Sequence, residues 1–251
     1  MSDALTQDDF LGGRIKITQP QKGYRAGVDA VLLASAVAAV PGQSVLDVGC
    51  GVGTAALCLH ARVPNLRMVG VEIQEDYAAL AQKNARDANA DLSTVVADVA
   101  DLPNDIRKMQ FDHVITNPPY FERSKGHSST DTGRDTALGG ATSLEEWLIA
   151  AIKRVAAKGT LTVIQRIERL PEVMKAIDGR LGSIRLRPVV PREGKPGKLF
   201  LLQAKQDGKA PFVLLPPLVM HKGDHHIGDV ECYTAPVRAI LRDGEKLGWD
   251  G

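Results

Sequence analysis

The sequence contains few cysteines and few aromatic residues, and it carries almost no net charge. Its three cysteines, among 251 residues, form no C-x-x-C pair. This scarcity argues against a disulfide scaffold and a cysteine-based zinc site, and it fits a reducing compartment such as the cytoplasm. No apolar run approaches the roughly 18 residues of a membrane span, since the longest, residues 30–40, is interrupted by Ser35. The first residues also lack the basic and apolar regions of a secretory signal.

Charge is unevenly distributed along a chain whose net charge is only +1. Residues 180–198 contain six basic side chains and one acid, Glu193. The basic residues are Arg180, Arg185, Arg187, Arg192, Lys195 and Lys198. Such a segment can attract a polyanion even when the whole chain is nearly neutral, although a solvated face is the common alternative for a charge cluster.

Segments that favour strands alternate with helical segments from residue 44 onwards. We predict strands at 44–48, 67–72, 94–97, 111–116, 159–165, 184–190 and 199–204. Helices are predicted at 55–63, 74–89, 144–157 and 168–178. This alternation predicts an α/β fold with a doubly wound, mostly parallel, seven-stranded sheet. One antiparallel strand is expected near its end, because the link at 191–197 is too short for a parallel crossover.

The predicted elements divide the chain into three regions. Residues 44–206 form the core, residues 1–43 an N-terminal extension, and residues 207–251 a C-terminal extension packed on the core. Within the core, the loop at 122–142 is rich in Ser, Thr and Gly. A loop of this length in a compact domain is usually functional or disordered.

A glycine-rich turn follows the first core strand in the sequence Asp-Val-Gly-Cys-Gly-Val-Gly. Gly49, Gly51 and Gly53 would let the backbone approach a ligand closely and present free N–H groups to it. Asp47, two residues before the first glycine, suits a positively charged ligand better than a pyrophosphate. Thr54 stands where a dinucleotide fingerprint needs a third glycine or alanine, which disfavours a nicotinamide dehydrogenase.

Two further acids follow the next two strands. Glu72 ends the second strand, where doubly wound folds hold a ribose diol, and Asp98 ends the third. With Asp47, these carboxylates are expected to converge on one crevice at the carboxyl edge of the sheet. A nucleoside with a positively charged tail fits that crevice, and S-adenosylmethionine is the candidate ligand.

The fourth strand is followed by Asn-Pro-Pro-Tyr at residues 117–120. Pro118 and Pro119 fix the backbone and remove two donors, so that the carbonyls are left free to accept hydrogen bonds. A planar amino group could donate to the Asn117 side chain and the Pro118 carbonyl while its ring stacks on Tyr120. Two such acceptors would free the delocalised lone pair of an exocyclic amine for methylation. These four residues are the candidate catalytic residues.

The glycine motif together with Asn-Pro-Pro-Tyr resembles the class I S-adenosylmethionine-dependent methyltransferases that act on amino or amide nitrogen. Residues 23–34 (GYRAGVDAVLLA), Arg134-Asp135 and Tyr233-Thr234 are similar to the bacterial tRNA(Val) adenine-N6 methyltransferase family. The similarity spans most of residues 14–242. It implies a Rossmann-like fold, S-adenosylmethionine as cofactor, and methylation of adenine N6 in structured RNA, with tRNA as the expected substrate.

The resemblance implies roles for individual residues. The expected cofactor-binding residues are Asp29, Asp47, Gly49, Gly51, Gly53, Glu72 and Asp98. Among them, the glycines cradle the methionine part above Asp47, Glu72 takes the ribose hydroxyls, and Asp98 meets the adenine amino group. Asp29 borders the methionine end, in an N-terminal segment that family members use as a partial lid. The expected substrate-binding residues are Tyr24, Phe121, Arg134, Arg185 and Arg187.

Other conspicuous residues receive ordinary structural interpretations. Tyr24 and Phe121 could stack on a base or simply pack. Trp147, at helical spacing, is expected in the core. No metal is expected, because the adjacent His225 and His226 point in different directions and no acid cluster surrounds them.

Two alternative functions remain open at this point. The amide of a protein glutamine, or another small planar amine, shares the geometry that Asn-Pro-Pro-Tyr would hold. Glutamine methyltransferases usually carry an N-terminal helical domain, for which 43 residues leave little room. A module that binds RNA without catalysis is disfavoured by the intact Asn117 and Tyr120.

Overall fold

Nine strands form a central sheet in a computed structural model that describes residues 4–120, 142–225 and 231–249. Two further strands form a separate N-terminal hairpin. In chain order the strands are β1 (Leu5–Phe10), β2 (Ile15–Pro20), β3 (Ser44–Val48), β4 (Arg67–Glu72), β5 (Leu92–Val96), β6 (Phe111–Thr116), β7 (Val155–Arg166), β8 (Gly182–Val190), β9 (Leu199–Lys205), β10 (Val213–Leu214) and β11 (Leu218–Val219).

Seven α-helices are present in the described residues. They are α1 (Val28–Ser35), α2 (Thr54–Arg62), α3 (Glu75–Asp87), α4 (Asn104–Lys108), α5 (Leu144–Ile152), α6 (Leu170–Ile177) and α7 (Ala235–Arg238). None of the helices in this part of the chain is long and apolar enough to cross a membrane.

The order of the central sheet is β10-β8-β9-β7-β6-β3-β4-β5, and β11 also pairs with β8. Every pairing is parallel except those of β9, which runs antiparallel to both β7 and β8. The predicted mostly parallel α/β sheet with one antiparallel strand is therefore confirmed. The seven predicted strands are β3 to β9, and the two-residue strands β10 and β11 extend the edge at β8. The three-region division of the chain stays a prediction.

The predicted helix at 144–157 is wrong at its end, because α5 ends at Ile152 and β7 already begins at Val155. Val155 is buried by pairing with Phe111, not by a helical face. The register then shifts before Thr160 pairs with His113. The apolar residue at 155 thus continued a helical pattern by coincidence, since a buried strand position also requires an apolar side chain.

Helices cover both faces of the sheet, and alternate strand residues point to opposite layers. Val45 and Ile115 belong to the apolar cluster that includes α1 and α2. Their neighbours Leu46 and Val114 belong to the second cluster, which includes α5 and α6. Burial on both faces explains why the central strands are nearly continuous apolar runs. The result is a rigid sheet whose carboxyl edge can present loops.

Both flanking regions are fastened to this core by buried hydrogen bonds. The Asn84 side chain on α3 accepts from the Thr18 amide (2.9 Å) and donates to the carbonyls of Thr18 and Val52 (3.0 Å each). It therefore ties the N-terminal hairpin to the glycine-rich turn. At the other end, the Trp249 indole donates to the Ala36 carbonyl at 2.6 Å.

Replacing Asn84 by alanine should lower the free energy of unfolding by about 3 kcal/mol or more, because three buried backbone groups lose their partner. Urea denaturation followed by circular dichroism measures this change. The matched control is Gln82→Ala on the exposed face of the same helix, where we expect a change below about 0.5 kcal/mol. Equal losses in both variants would show that the amide does not hold the hairpin.

Candidate active site

An open cleft lies at the carboxyl edge of the parallel strands. Its walls come from the N-terminal segment, the turns after β3, β4, β5 and β6, and the start of α5. The sequence-predicted residues that line it are Tyr24, Gly49, Gly51, Glu72, Asp98, Asn117, Pro118, Pro119 and Tyr120. The structure thus brings most of the predicted site together, as expected at the carboxyl ends of an open α/β sheet.

The glycine-rich turn can be formed only by residues without a side chain. Gly49, Gly51 and Gly53 all have positive φ angles, of 73°, 55° and 84°, which disfavour other residues. A Cβ on Gly49 would also lie 2.6 Å from Trp147 Cζ2. Gly53 is the N-cap of α2 and does not line the cleft. The turn therefore presents bare backbone to the cleft at its first two glycines.

Trp147 packs against the second apolar cluster, as expected, and in addition lines the cleft. Its side chain is partly exposed, and its indole N–H donates to Thr116 Oγ1 at 2.9 Å. Leu144 and Leu148, on the same helix, are the buried residues. Trp147 lies beside the apolar stripe that these two leucines form on the helix. Its position outside that stripe is the feature of the sequence that could have indicated a residue lining a site.

Glu72 joins the end of β4 to the glycine-rich turn. Its carboxylate accepts from the backbone N–H of Gly51 at 2.9 Å and of Gln74 at 3.0 Å. Burial raises the pKa of Glu72, and these backbone hydrogen bonds oppose that rise. Glu72 also lines the cleft, and a carboxylate accepts hydrogen bonds only and donates none. An acceptor of this kind suits a vicinal diol.

Asp47 lies within β3 beneath the turn and does not line the cleft. It is only 2% exposed, and its Oδ2 atom has no hydrogen-bond partner in the structure. Burial raises the pKa of Asp47 to about 7, opposed by the Ala56 amide and reinforced by the Glu72 carboxylate. A buried carboxylate of this kind favours a positively charged neighbour, because a cation would offset its desolvation.

Asp98 lies two residues beyond the end of β5, at the start of a short turn. Its Oδ1 atom accepts from the Ala100 amide at 2.9 Å and from the Thr142 hydroxyl at 3.1 Å. The same residue lines the cleft opposite the Asn-Pro-Pro-Tyr turn. Thr142 therefore fixes the orientation of a carboxylate that the sequence placed correctly.

The Asn-Pro-Pro-Tyr turn is held from beneath by two side chains that the sequence analysis missed. Gln165, fully buried at the end of β7, donates to the Pro118 carbonyl at 3.1 Å. Arg169, also buried, donates to the Pro119 carbonyl at 3.4 Å. The expectation that these carbonyls are left free is therefore wrong, although each carbonyl oxygen keeps a second lone pair.

Asn117 presents an acceptor without a partner beside this turn. Its Nδ2 atom lies 3.5 Å from the Tyr24 hydroxyl, which it donates to, and its buried Oδ1 atom has no hydrogen-bond partner in the structure. A buried acceptor left unpaired costs free energy unless a ligand supplies a donor. The cleft can therefore accept a hydrogen bond from an amino group at this position.

Several predicted residues lie elsewhere. Asp29 is outside the cleft lining and accepts a hydrogen bond from the Tyr120 hydroxyl. Arg185 and Arg187 on β8 donate to carbonyls of the C-terminal segment: Arg185 to Trp249 at 3.3 Å, and Arg187 to residues 216 and 248 at 3.1 and 3.0 Å. Burial lowers the pKa of Arg187. The predicted RNA contacts of both arginines stay predictions.

Three expectations fall outside what the structure describes or tests. Phe121, Arg134 and the loop at 122–141 lie outside the described residues. Within residues 4–120, 142–225 and 231–249, no group of three or more His, Cys, Asp or Glu side chains could hold a metal ion. The expected absence of a metal cofactor stays a prediction.

The cleft passes a simple test of fit for S-adenosylmethionine. Its glycine cradle would be filled by a Cβ at Gly49, and a buried Asp47 carboxylate lies under that cradle. A second carboxylate, Glu72, is preorganised by backbone N–H groups. The fold and the cleft are those of a class I methyltransferase that uses S-adenosylmethionine.

Comparison with family models assigns the chain more closely. The model described as "Methyltransferase small domain" matches residues 25–177, more than half of the chain. The protein belongs to this family.

Curated relatives have consistent names. A Porphyromonas gingivalis protein named tRNA1(Val) (adenine(37)-N6)-methyltransferase is 33% identical over 195 residues, covering 74% of this chain and 76% of that protein. A Haemophilus influenzae protein of the same name is 28% identical over 221 residues, covering 86% and 91%. The relatives thus resemble this chain across most of its length and not only at the motifs.

Solved structures show the fold. A predicted O-methyltransferase from Agrobacterium tumefaciens superposes with a TM-score of 0.70 at 24% identity, covering 88% of this chain and 98% of that one. The 16S rRNA N2 G1207 methyltransferase of Thermus thermophilus, solved with AdoMet and guanosine, gives a TM-score of 0.53 at 19% identity, covering 81% and 50%. Both place the sheet and its carboxyl edge in the same architecture.

Asp47 should make the unfolding free energy depend on pH. The folded state holds the Asp47 proton up to a pKa of about 7, whereas the unfolded chain releases it near the ordinary aspartate pKa of 3.8. Stability should therefore fall as pH rises between these values, and level off above pH 7. In Asp47→Asn this contribution disappears, so that urea unfolding from pH 4 to pH 8 should show a smaller loss than in the wild type. Parallel pH curves for the two proteins would contradict the assignment.

Proposed function

We propose that the protein transfers a methyl group from S-adenosylmethionine to the exocyclic N6 amine of an adenine in tRNA. The carrying observation is the buried, unpartnered Asn117 Oδ1 atom on a turn that lines the cleft. Names of the curated relatives support adenine in tRNA as the substrate. Methylation of a protein glutamine amide is not favoured, because no feature of the cleft selects it and the relatives are named for tRNA.

The proposed cofactor contacts follow from the shape of the cleft. Gly49 and Gly51 would cradle the methionine part, Glu72 would accept from the ribose hydroxyls, and Asp98 would accept from the adenine amino group. When bound, the cofactor supplies an electrophilic methyl group on a sulfonium. Asp47 would stabilise the cradle from below through its bond to the Ala56 amide. Gly53, the N-cap of α2, would act on this part of the site only through its backbone.

The proposed catalytic contacts follow from the turn after β6. The lone pair of an exocyclic adenine amine is delocalised into the ring, so the free amine is a weak nucleophile. Asn117 Oδ1 and the second lone pair of the Pro118 carbonyl would accept its two hydrogens, which favours a tetrahedral nitrogen. The Tyr120 ring would stack on the base. Catalysis would come from positioning and electrostatics, without a covalent enzyme intermediate.

The surface that would take the tRNA phosphates lies at the same edge of the sheet. The link at 191–198 follows β8, and the segment at 220–225 follows β11, so both lie beside the cleft edge. Buried Arg192 ties them by donating to the Gly223 carbonyl at 2.8 Å. Exposed on these segments are Lys195, Lys198 and Lys222, for which the described part of the chain offers no ion pair. A tRNA substrate would place the reaction in the cytoplasm.

Replacing Lys195, Lys198 and Lys222 together by glutamine should weaken tRNA binding by about tenfold and flatten its salt dependence, because fewer counterions are released. Filter binding at several salt concentrations measures both quantities. The S-adenosylhomocysteine dissociation constant should stay unchanged.

The matched control replaces Lys158, Lys205 and Lys209, which are exposed near the opposite edge of the sheet. Arg185→Ala with Arg187→Ala forms a second comparison. If the Lys158, Lys205 and Lys209 variant loses as much salt-dependent affinity as the first, the tRNA does not lie where we propose. A loss in the Arg185 and Arg187 variant would support the predicted RNA contacts of these two arginines.

The function itself is tested by methyl transfer from labelled cofactor into total tRNA, rRNA and protein of a strain that lacks the gene. Nucleoside mass spectrometry should detect N6-methyladenosine in the tRNA fraction only. Asn117→Ala should lower turnover by about 100-fold or more, while isothermal titration should show nearly unchanged cofactor affinity. Label in the protein fraction alone would overturn the proposal, and equal turnover in the variant would remove the role of Asn117.

A further inference from the structure

The N-terminal segment contacts the Asn-Pro-Pro-Tyr turn with two side chains. The Tyr24 hydroxyl accepts from Asn117 Nδ2 at 3.5 Å. The Asp29 carboxylate, in the first turn of α1, accepts from the Tyr120 hydroxyl. Asp29 and Tyr120 are 91 residues apart in the sequence. A segment that precedes the cofactor-binding core therefore completes the turn that would hold the substrate.

Asp29 does not line the cleft, whereas Tyr120 does. Burial raises the pKa of Asp29, and the hydrogen bond from Tyr120 opposes that rise. The same neighbourhood raises the pKa of Tyr120, first through burial and then through the Asp29 charge. The Asp29 carboxylate therefore acts on the site through its hydrogen bond with the Tyr120 hydroxyl, and that hydroxyl stays protonated.

A hydrogen bond at the hydroxyl end of a tyrosine fixes the direction in which the ring points, which is its first side-chain torsion. The hydroxyl oxygen lies on the axis of the second torsion, but a phenol O–H prefers to lie in the ring plane, so an acceptor to one side of that axis also favours one ring plane. The backbone end of Tyr120 is already restrained, because the Pro118 and Pro119 carbonyls are held by Gln165 and Arg169. Asp29 adds the second anchor at the far end of the ring. The two anchors fix the axis of the ring, and the in-plane O–H directed at Asp29 favours one plane in which a base could stack.

We propose that Asp29 is a positioning residue that sets the plane of the Tyr120 ring for the target base. The identity of that base rests on the proposed function, but the restraint on the ring does not. Asp29 acts on the substrate side of the site and not on the methionine end of the cofactor. A misplaced reacting group costs turnover more than binding, so the effect belongs in kcat.

A double-mutant cycle tests this role. Asp29→Ala and Tyr120→Phe should each lower kcat for tRNA about 30-fold, through loss of the same hydrogen bond. The double variant should be no slower than either single variant, because residues in one interaction are not additive. Asp29→Asn retains an acceptor and should recover most of the activity. The S-adenosylhomocysteine dissociation constant should remain within about twofold in all four.

Two results would overturn the proposal. One is additive losses in the double variant. The other is a large loss of cofactor affinity in Asp29→Ala with unchanged kcat, which would return Asp29 to the methionine end. The control is Asp76→Ala, which removes an exposed acid from the first turn of α3. It corrects for the loss of an acidic residue at a helix N-terminus.

A second measurement needs no activity and separates this proposal from the proposed function. Fluorotyrosine placed at position 120 of the full chain reports ring order by fluorine NMR. In the wild type we expect one sharp, shifted resonance. In Asp29→Ala the resonance should move toward that of free fluorotyrosine. In Asp29→Asn it should stay at the wild-type position. Failure to methylate tRNA would refute the proposed function alone. An identical resonance in the wild type and in Asp29→Ala would refute the positioning role.

Discussion

The site depends on backbone that approaches closely where no side chain is tolerated. The turn after β3 passes beneath Trp147 with a contact that a Cβ at Gly49 would make impossible. Glu72 then fixes this turn by accepting from the Gly51 amide, which joins the ends of two neighbouring strands. Because a parallel sheet places these strand ends at one edge, a single buried carboxylate organises the wall on which a cofactor would rest.

The opposite wall is built by a different principle. Its prolines cannot donate backbone hydrogen bonds, so side chains from other elements fix it: Gln165 from β7, Arg169 from the following turn, and Asp29 from α1. Among residues 117–120, the buried Asn117 Oδ1 atom is left without a partner. The wall is therefore held in place by these side chains and keeps one acceptor, Asn117 Oδ1, without a partner. A substrate amine would contribute most at that acceptor.

The sequence was informative wherever chemistry required a particular residue type at a particular place. Glycines that need positive φ and acids that follow strands identified the cofactor wall, and the short link at 191–197 identified the antiparallel strand. Gln165 and Arg169 could not be found in this way, because their partners are backbone carbonyls about 50 residues away and carry no sequence signal. The partners of the basic segment carry no sequence signal for the same reason, since several of its guanidinium groups donate to carbonyls of the chain itself.

The long-range anchors also have a consequence for how the chain assembles during synthesis. The Asn84 amide that holds the N-terminal hairpin is made 66 residues after Thr18. The Trp249 indole that binds the Ala36 carbonyl is made 213 residues after it. On the ribosome, the hairpin therefore emerges before α3 supplies the Asn84 amide. The Ala36 carbonyl, which also accepts from Gln203 at 3.5 Å, gains the Trp249 indole later still. Thr18 and Ala36 therefore acquire these partners long after they are themselves synthesised.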